Sequence, residues 1–438
     1  MLTREHKEAT ALLSIGTFLE YFDLMLYVHL AILLNNLFFP KTDPYTASLF
    51  SAFAFCSTYL LRPFGAIIFG YIGDHIGRKS VVIITTFLMA ICCATLAVLP
   101  SYAKIGITAS IIVTICRMIM GLAANAESRG AEIYLTESIR PPFQYPLVAM
   151  LTTFTAVGTT AAMGVGYIFT HQSMVHSTND GSWRIAFLIG AMVALVGTVA
   201  RTSLKEASEF ADKKKLLKKR IEKNREIFQD NDDYEEKVPT WTMVAYFFIH
   251  SARPPCFYFI YMYGADILKN DFGLSVNEII SQNFWVSIVD LVGILCLAYL
   301  SYFIYPLKIL KWKLVLFFLS ISMFPFMMAW YPSPKTLFVF QCLASLFVFD
   351  HVPATPIFFK HFPVLKRFTY TSLLSAGSKL LTYFLTSFGL VIAHKNYGYA
   401  GVFWILIPTG IVFYLSVKHF DRKERVVKVR PIHSSRAA

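Results

Sequence analysis

Glu20, Asp23 and Tyr27 stand at i, i+3 and i+7 inside an otherwise apolar run near residues 11–38. At about 100° per residue the three share one helical face. Two carboxyls and a phenol on one apolar helix make a candidate proton or cation site. Burial raises a carboxyl pKa and a nearby cation lowers it, so protonation can follow conformational state. Glu20 and Asp23 are the proton-coupling candidates, and a static hydrogen-bonded helix pair is the competing reading.

A second set of polar residues lies in other apolar runs. Arg117 is followed by Gly121, Ala124 and Ser128, a stripe of small residues that permits close helix approach. A guanidinium there requires an acceptor, either a carboxylate of another helix or one on a substrate, which it can bind bidentately. Glu127, Arg129 and Glu132 follow on the same run as a candidate charge network. Lys379, with Asp290 and Asp350, supplies both signs of charge later in the chain. Tyr27, Arg117 and Lys379 are therefore the substrate-binding candidates. Tyr258, Tyr261, Tyr263 and Trp285 offer ring faces to a quaternary ammonium, with lipid contact and packing as the competing reading.

A third pattern joins two apolar runs: Gly70, Gly73, Asp74, Gly77, Arg78 and Lys79 in a GxxGDxxGRK array, preceded by Arg62 and Pro63. Glycines allow close approach and unusual backbone angles. Asp74 is suited to accept backbone N–H groups at a helix start or to pair with arginine. Arg62, Gly70, Gly73, Asp74, Gly77 and Arg78 form a candidate gate, a latch that can break.

The elements that position these groups follow from composition. The chain has 438 residues, 56% hydrophobic and 15% charged, against about 25% charged in soluble domains. A bilayer span takes about 20 apolar residues, so twelve spans fit. The runs lie near 11–38, 46–72, 80–99, 106–136, 147–170, 183–203, 241–266, 276–304, 314–330, 337–358, 370–394 and 400–417. The expected fold is all-α and integral to the membrane, with twelve transmembrane helices in two six-helix pseudo-symmetric halves. The expected domains are an N-terminal bundle over 1–203, a charged cytoplasmic linker over 204–240, a C-terminal bundle over 241–418 and a basic cytoplasmic tail over 419–438.

With the N-terminus placed inside, only Lys41, Lys104, Lys269, Lys335 and Lys395 fall among the external segments. By the positive-inside rule both termini are cytoplasmic. The net charge of +13 thus reflects sidedness, and no nucleic-acid partner is expected. All seven cysteines sit in apolar runs without CxxC spacing, which argues against a disulfide framework or zinc site. No Walker loop, metal-ligand spacing or nucleophile constellation is present, and an enzyme is not expected. No metal or cofactor is expected either. The expected partners are a small-molecule substrate, protons and lipid, for a monomer in the cell membrane, the inner membrane if bacterial.

At the glycine-rich loop the chain resembles the major facilitator superfamily, and Arg117 to Gly121 matches the RxxxG element of its fourth span. Further stretches resemble the metabolite:proton symporter branch, which includes proline/betaine, 2-oxoglutarate and shikimate transporters. These are Gly16-Thr-Phe-Leu-Glu20-Tyr-Phe-Asp23 with Tyr27, Leu61-Arg62-Pro63-Phe-Gly65-Ala66, Trp183-Arg184-Ile185-Ala-Phe187 and Leu204-Lys-Glu206. The second half matches chiefly at Phe362-Pro363-Val-Leu-Lys-Arg367-Phe-Thr369, and its own loop copy reads Tyr305-Pro-Leu-Lys-Ile-Leu-Lys-Trp-Lys313. The resemblance implies two halves rocking about a midplane site. It also implies proton-coupled symport of a zwitterionic osmolyte such as proline or betaine, with organic-acid symport as the alternative. The decayed loop leaves a non-transporting receptor or regulatory relic as the alternative of another class.

Overall fold

The computed structural model describes residues 4–38, 59, 61–171, 182–202, 204–207, 209–216 and 238–429, and no strand occurs among them. The first half contains α1 (Arg4–Phe38), α2 (Arg62–His75), α3 (Arg78–Val98), α4 (Ile107–Ser138), α5 (Gln144–His171) and α6 (Ser182–Arg201). The second half opens with α7 (Thr240–His250), continued by Arg253–Phe257, a π-helical turn Tyr258–Tyr263 and Gly264–Asn270. It goes on through α8 (Val276–Phe303), α9 (Pro306–Trp330), α10 (Pro334–Leu346), α11 (Arg367–Tyr397) and α12 (Phe403–Val429).

Local chemistry fixes several of these ends. A capping box starts α8: Ser275 Oγ accepts the Glu278 N–H, while the Glu278 carboxylate accepts the Ser275 N–H at 2.8 Å. Proline opens α9 and α10, where a missing N–H costs nothing. In α7 the helix stops at His250, and Pro254 and Pro255 restart it beyond the break.

Three expected boundaries need correction. Span nine starts at Pro306 rather than 314, because Lys308, Lys311 and Lys313 lie within the helix. Span ten is helical only to Leu346; beyond Asp350 a turn leads to the short helix Thr355–Phe359. The Asp350 carboxylate is drawn to Arg253 and Lys313, and Pro353 and Pro356 cannot donate to a continuous helix. The tail expected from 419 is instead the end of α12, which runs to Val429. Lys311 holds Asp421 at 2.7 Å and Tyr305 donates to Glu424 at 3.3 Å, pinning that extension.

Six stretches are long and apolar enough to cross a membrane: α3, α4, Gln144–Val165, Glu278–Phe303, α9 and Gly398–Val426. Their outward faces carry large exposed apolar side chains, including Val98, Ile111, Leu295 and Phe326. A hydrocarbon solvent imposes no penalty on such a surface. Exposed Trp241 and Trp312 stand at one end of the bundle and Trp330, Tyr331 and Trp404 at the other, the placement of interfacial aromatics.

Within the first half α1 packs on α5, and α3 packs on α4 and α6. Within the second, α7 packs on α12 and α11, and α8 on α10. The halves meet along two seams, α2 against α11 and α5 against α8. Asn125 Nδ2 donates to the Ser372 carbonyl at 3.2 Å and Thr160 to the Ser287 carbonyl at 3.4 Å across the join. A polar cavity lies between these seams.

Candidate functional site

The cavity has a volume of ≈ 70 Å³ and takes walls from both halves. Thr17 and Tyr21 of α1, Arg62 of α2 and Arg129 and Glu132 of α4 face it from the first half. His250, Arg253, Tyr261, Asp290, His351 and Lys379 face it from the second. Four described cations (Arg62, Arg129, Arg253, Lys379) thus meet two described carboxylates (Glu132, Asp290).

Charges so far from water require partners. Arg129 pairs with Glu132 one turn on, at 2.7 Å, and His351 approaches Glu132 at 3.7 Å from the opposite half. Arg253 reaches Asp350 at 3.1 Å, and Lys313 of α9 reaches the other oxygen at 3.3 Å. Asp290 accepts the Ser345 hydroxyl at 3.1 Å. Lys379 lies within electrostatic reach of Glu132 and His250. Arg62 lies over the Tyr59 ring at 4.5 Å, and Tyr59 in turn packs, tilted by 44°, at 4.6 Å on Tyr383 of α11.

The loop between α2 and α3 forms a second polar centre at the end of the same seam. Gly77 has φ +150°, a conformation nearly closed to other residues, and Gly73 is packed so closely on Phe368 that a Cβ would stand 2.5 Å from its ring. That approach brings Asp74 to the first turn of α11, where it accepts the N–H groups of Phe368 at 3.1 Å and Thr369 at 2.8 Å. The carboxylate of one half therefore caps a helix of the other. Arg78, fully buried, pairs with Asp74 at 3.2 Å and grips both oxygens of Glu137 at 3.0 Å. It also donates to the carbonyls of Gly73 and Val364. Arg367 joins from α11, meeting Glu137 at 3.0 Å and Glu209 at 3.1 Å. Glu206 accepts the Arg78 backbone N–H at 2.9 Å.

The expected site residues thus separate into groups. Gly70, Gly73, Asp74, Gly77 and Arg78 gather at the loop, whereas Arg62 lies on the cavity wall. The network expected for Glu127, Arg129 and Glu132 is two networks, since residues two apart on a helix point to different faces. Glu127 faces α3 and α6, accepting from Thr85, Thr86 and Arg201, whose guanidinium also donates to the Leu12 and Leu13 carbonyls of α1 at 2.9 and 3.0 Å. Lys379 lines the cavity, while buried Arg117 is absent from its described lining. The side chains of Glu20, Asp23 and Tyr27 lie outside the described residues. Tyr261 alone of the three span-seven tyrosines lines the cavity, and Trp285 is exposed on the outer surface. Asp350 binds Arg253 and Lys313.

Sequence spacing missed Arg253, His250, His351 and Glu137. Their contacts join positions tens to hundreds of residues apart, which no local pattern reports. One signal was available: an arginine directly before Pro254-Pro255 in an apolar run is costly unless it is paired.

Comparison with known proteins bears on this architecture. Residues 13–266 match the model of the Major Facilitator Superfamily. The proline/betaine transporter of Escherichia coli is 31% identical over 206 residues, 47% of this chain and 41% of that protein. The citrate-proton symporter of Klebsiella pneumoniae is 30% identical over 202 residues, 46% of each chain. The chain thus spans less than half the length of the curated relatives it matches. Among solved structures, the proton:xylose symporter XylE aligns over 95% of both chains with a TM-score of 0.72 and 14% identity, a likeness of fold. That fold has twelve helices in two halves, and the family match covers more than half the sequence together with the latch, so this chain, a multi-pass membrane protein, belongs to the major facilitator superfamily.

Proposed function

We propose that the protein is a proton-coupled symporter that moves a small carboxylate-bearing metabolite by alternating access. The observation that carries this reading is the cavity between the halves, where the described cations outnumber the described carboxylates. Guanidinium and ammonium groups that face a cavity at bilayer depth are suited to bind a carboxylate, the guanidinium in bidentate fashion. The number of cationic side chains along the described lining supports an organic acid ahead of a zwitterion, although relatives named for each are about equally similar. The zwitterionic reading draws support from Asp290 and Glu132, which place negative charge in the same cavity.

Glu20 and Asp23 are proposed to carry the coupled proton and Tyr27 and Lys379 to contact substrate. Arg117, buried but outside the described lining, is proposed to act through helix packing. Both termini are proposed to be cytoplasmic, by the distribution of Lys and Arg.

The test uses vesicles reconstituted with the full chain and an imposed pH gradient. Uptake of 2-oxoglutarate, citrate, proline and glycine betaine is measured with simultaneous proton flux. Gradient-driven accumulation of an organic acid, lost in Asp23→Asn or Glu20→Gln, is the expected result. Accumulation of proline or betaine alone would install the zwitterion. Substrate binding without any proton flux would favour the receptor reading and reject symport.

A further inference from the structure

His250 is a polar side chain with nothing to bond. It is 2% exposed and faces the cavity, yet neither ring nitrogen has a hydrogen-bond partner among the described residues. A buried donor or acceptor left unsatisfied destabilises the fold, so a purely structural role would be served better by an apolar ring. Its ring contacts leave the nitrogens open: Tyr246 packs edge-on at 4.6 Å and His351 lies at 4.4 Å between centroids. His351 differs, since its own nitrogen is met by Arg129 at 3.4 Å and Glu132 at 3.7 Å. Of the two imidazoles in the cavity, only His250 has its bonding capacity in reserve.

The surrounding charges say what kind of group would use it. Arg129 of α4, His351 beyond α10 and Lys379 of α11 all act on His250 electrostatically. Among the described residues Glu132, the carboxylate nearest this cluster, is engaged by Arg129 and His351. A neutral imidazole offers one N–H and one lone pair, and two cationic side chains beside it select an acceptor that carries negative charge. We propose that His250 is a substrate-binding residue, donating a hydrogen bond from its ring to a carboxylate oxygen of the ligand in concert with the Arg129 and Lys379 charges. This rests on the carboxylate reading of the cavity and adds the residue that recognises the group. Its place at the end of α7, where span seven breaks, ties ligand contact to a joint in the second half.

The experiment compares the full-length wild type with His250→Phe, which keeps a ring for packing, and His250→Gln, which restores a donor. Purified protein is titrated with citrate, 2-oxoglutarate, proline and glycine betaine, and resistance to heat unfolding reports binding. Uptake into vesicles is then measured with the same compounds. A hydrogen bond to a charged ligand corresponds to roughly tenfold or more in affinity. We expect that loss in His250→Phe, with partial recovery in His250→Gln and a maximal uptake rate within about threefold of wild type. A carboxylate that binds the wild type and His250→Phe equally well overturns the assignment, as does a fall in maximal rate with affinity untouched. If citrate or 2-oxoglutarate binds but is not accumulated, transport fails as a reading while the affinity loss still supports His250. If no carboxylate of the panel binds, both fall. Should His250→Phe fail to fold, His250→Gln and His250→Asn give the same comparison.

Discussion

The two halves carry corresponding loops that do opposite work. In the first half the α2–α3 loop is buried and reaches across the seam, with Asp74 on the N–H groups of α11 and Arg78 linked through Glu137 to Arg367. In the second half the α8–α9 loop and the start of α9 turn inward on their own bundle. Tyr305 meets Glu424, His361 meets Glu424 at 3.2 Å, and Lys311 meets Asp421, all within residues 305–424. One loop bridges the two halves, whereas the other reinforces a single half. A repeat can lose its latch sequence and keep its place in the fold once its polar residues find partners in the terminal helix.

The contrast can be attacked at four points. Arg78→Met should cause the largest effect, because Glu137 then stays buried with one fewer cation; removing one member of a buried pair costs about 3–5 kcal/mol. Strongly reduced yield and heat resistance in detergent are expected, and a fully stable variant would mean that the latch is not buried as described. Asp74→Asn keeps the shape but removes the charge at the α11 terminus, an effect of about 0.5–2 kcal/mol. It should act on the balance of states, read as changed cysteine-labelling accessibility from the two sides of the membrane. An apparent affinity would rescale with the competent fraction. Glu424→Gln, on the self-contained side, should cost about 1 kcal/mol or less in heat stability and leave labelling sidedness alone. If it alters sidedness as much as Asp74→Asn does, the contrast between the halves is wrong.

The smallest effect is one of pH. The His361 imidazole, 3.2 Å away, holds the Glu424 carboxyl below its ordinary value despite partial burial. Burial acts to raise the pKa of Asp421, but Lys311 and Arg425 hold it below normal. A depressed carboxyl stabilises the fold above its unfolded pKa, about 4, and that contribution is lost as pH falls through the lower folded value. The carboxyl contribution of the α12 clasp should therefore be lost as pH falls below about 4. A melting temperature of Glu424→Gln that converges on wild type near neutral pH would contradict this.

How much of this was legible in sequence follows from range. The latch was readable because Gly73, Asp74, Gly77 and Arg78 are near neighbours whose types suit a tight turn, and the helices were readable from apolar run length. The far ends of the contacts were not readable: Glu137, Val364 and Arg367 lie about 60 to 290 residues from Arg78. Glu127 and Arg129 looked like one network because charge was counted along the chain, whereas the helix turns about 200° between them. That α12 runs on to Val429 was not readable either, since nothing local indicates Tyr305 and Lys311 as partners of its last turns.

One feature of span seven reaches beyond static packing. The turn Tyr258–Tyr263 is wider than the α-helix on either side of it, so it holds one residue more than the path requires. A surplus residue of this kind is a dislocation, and a dislocation moves through a lattice with only a few bonds broken at a time. Passing it along the helix by one turn would swing Tyr261 about the axis without displacing either end. Span seven therefore carries a local irregularity in the wall that it gives to the cavity, at Tyr261.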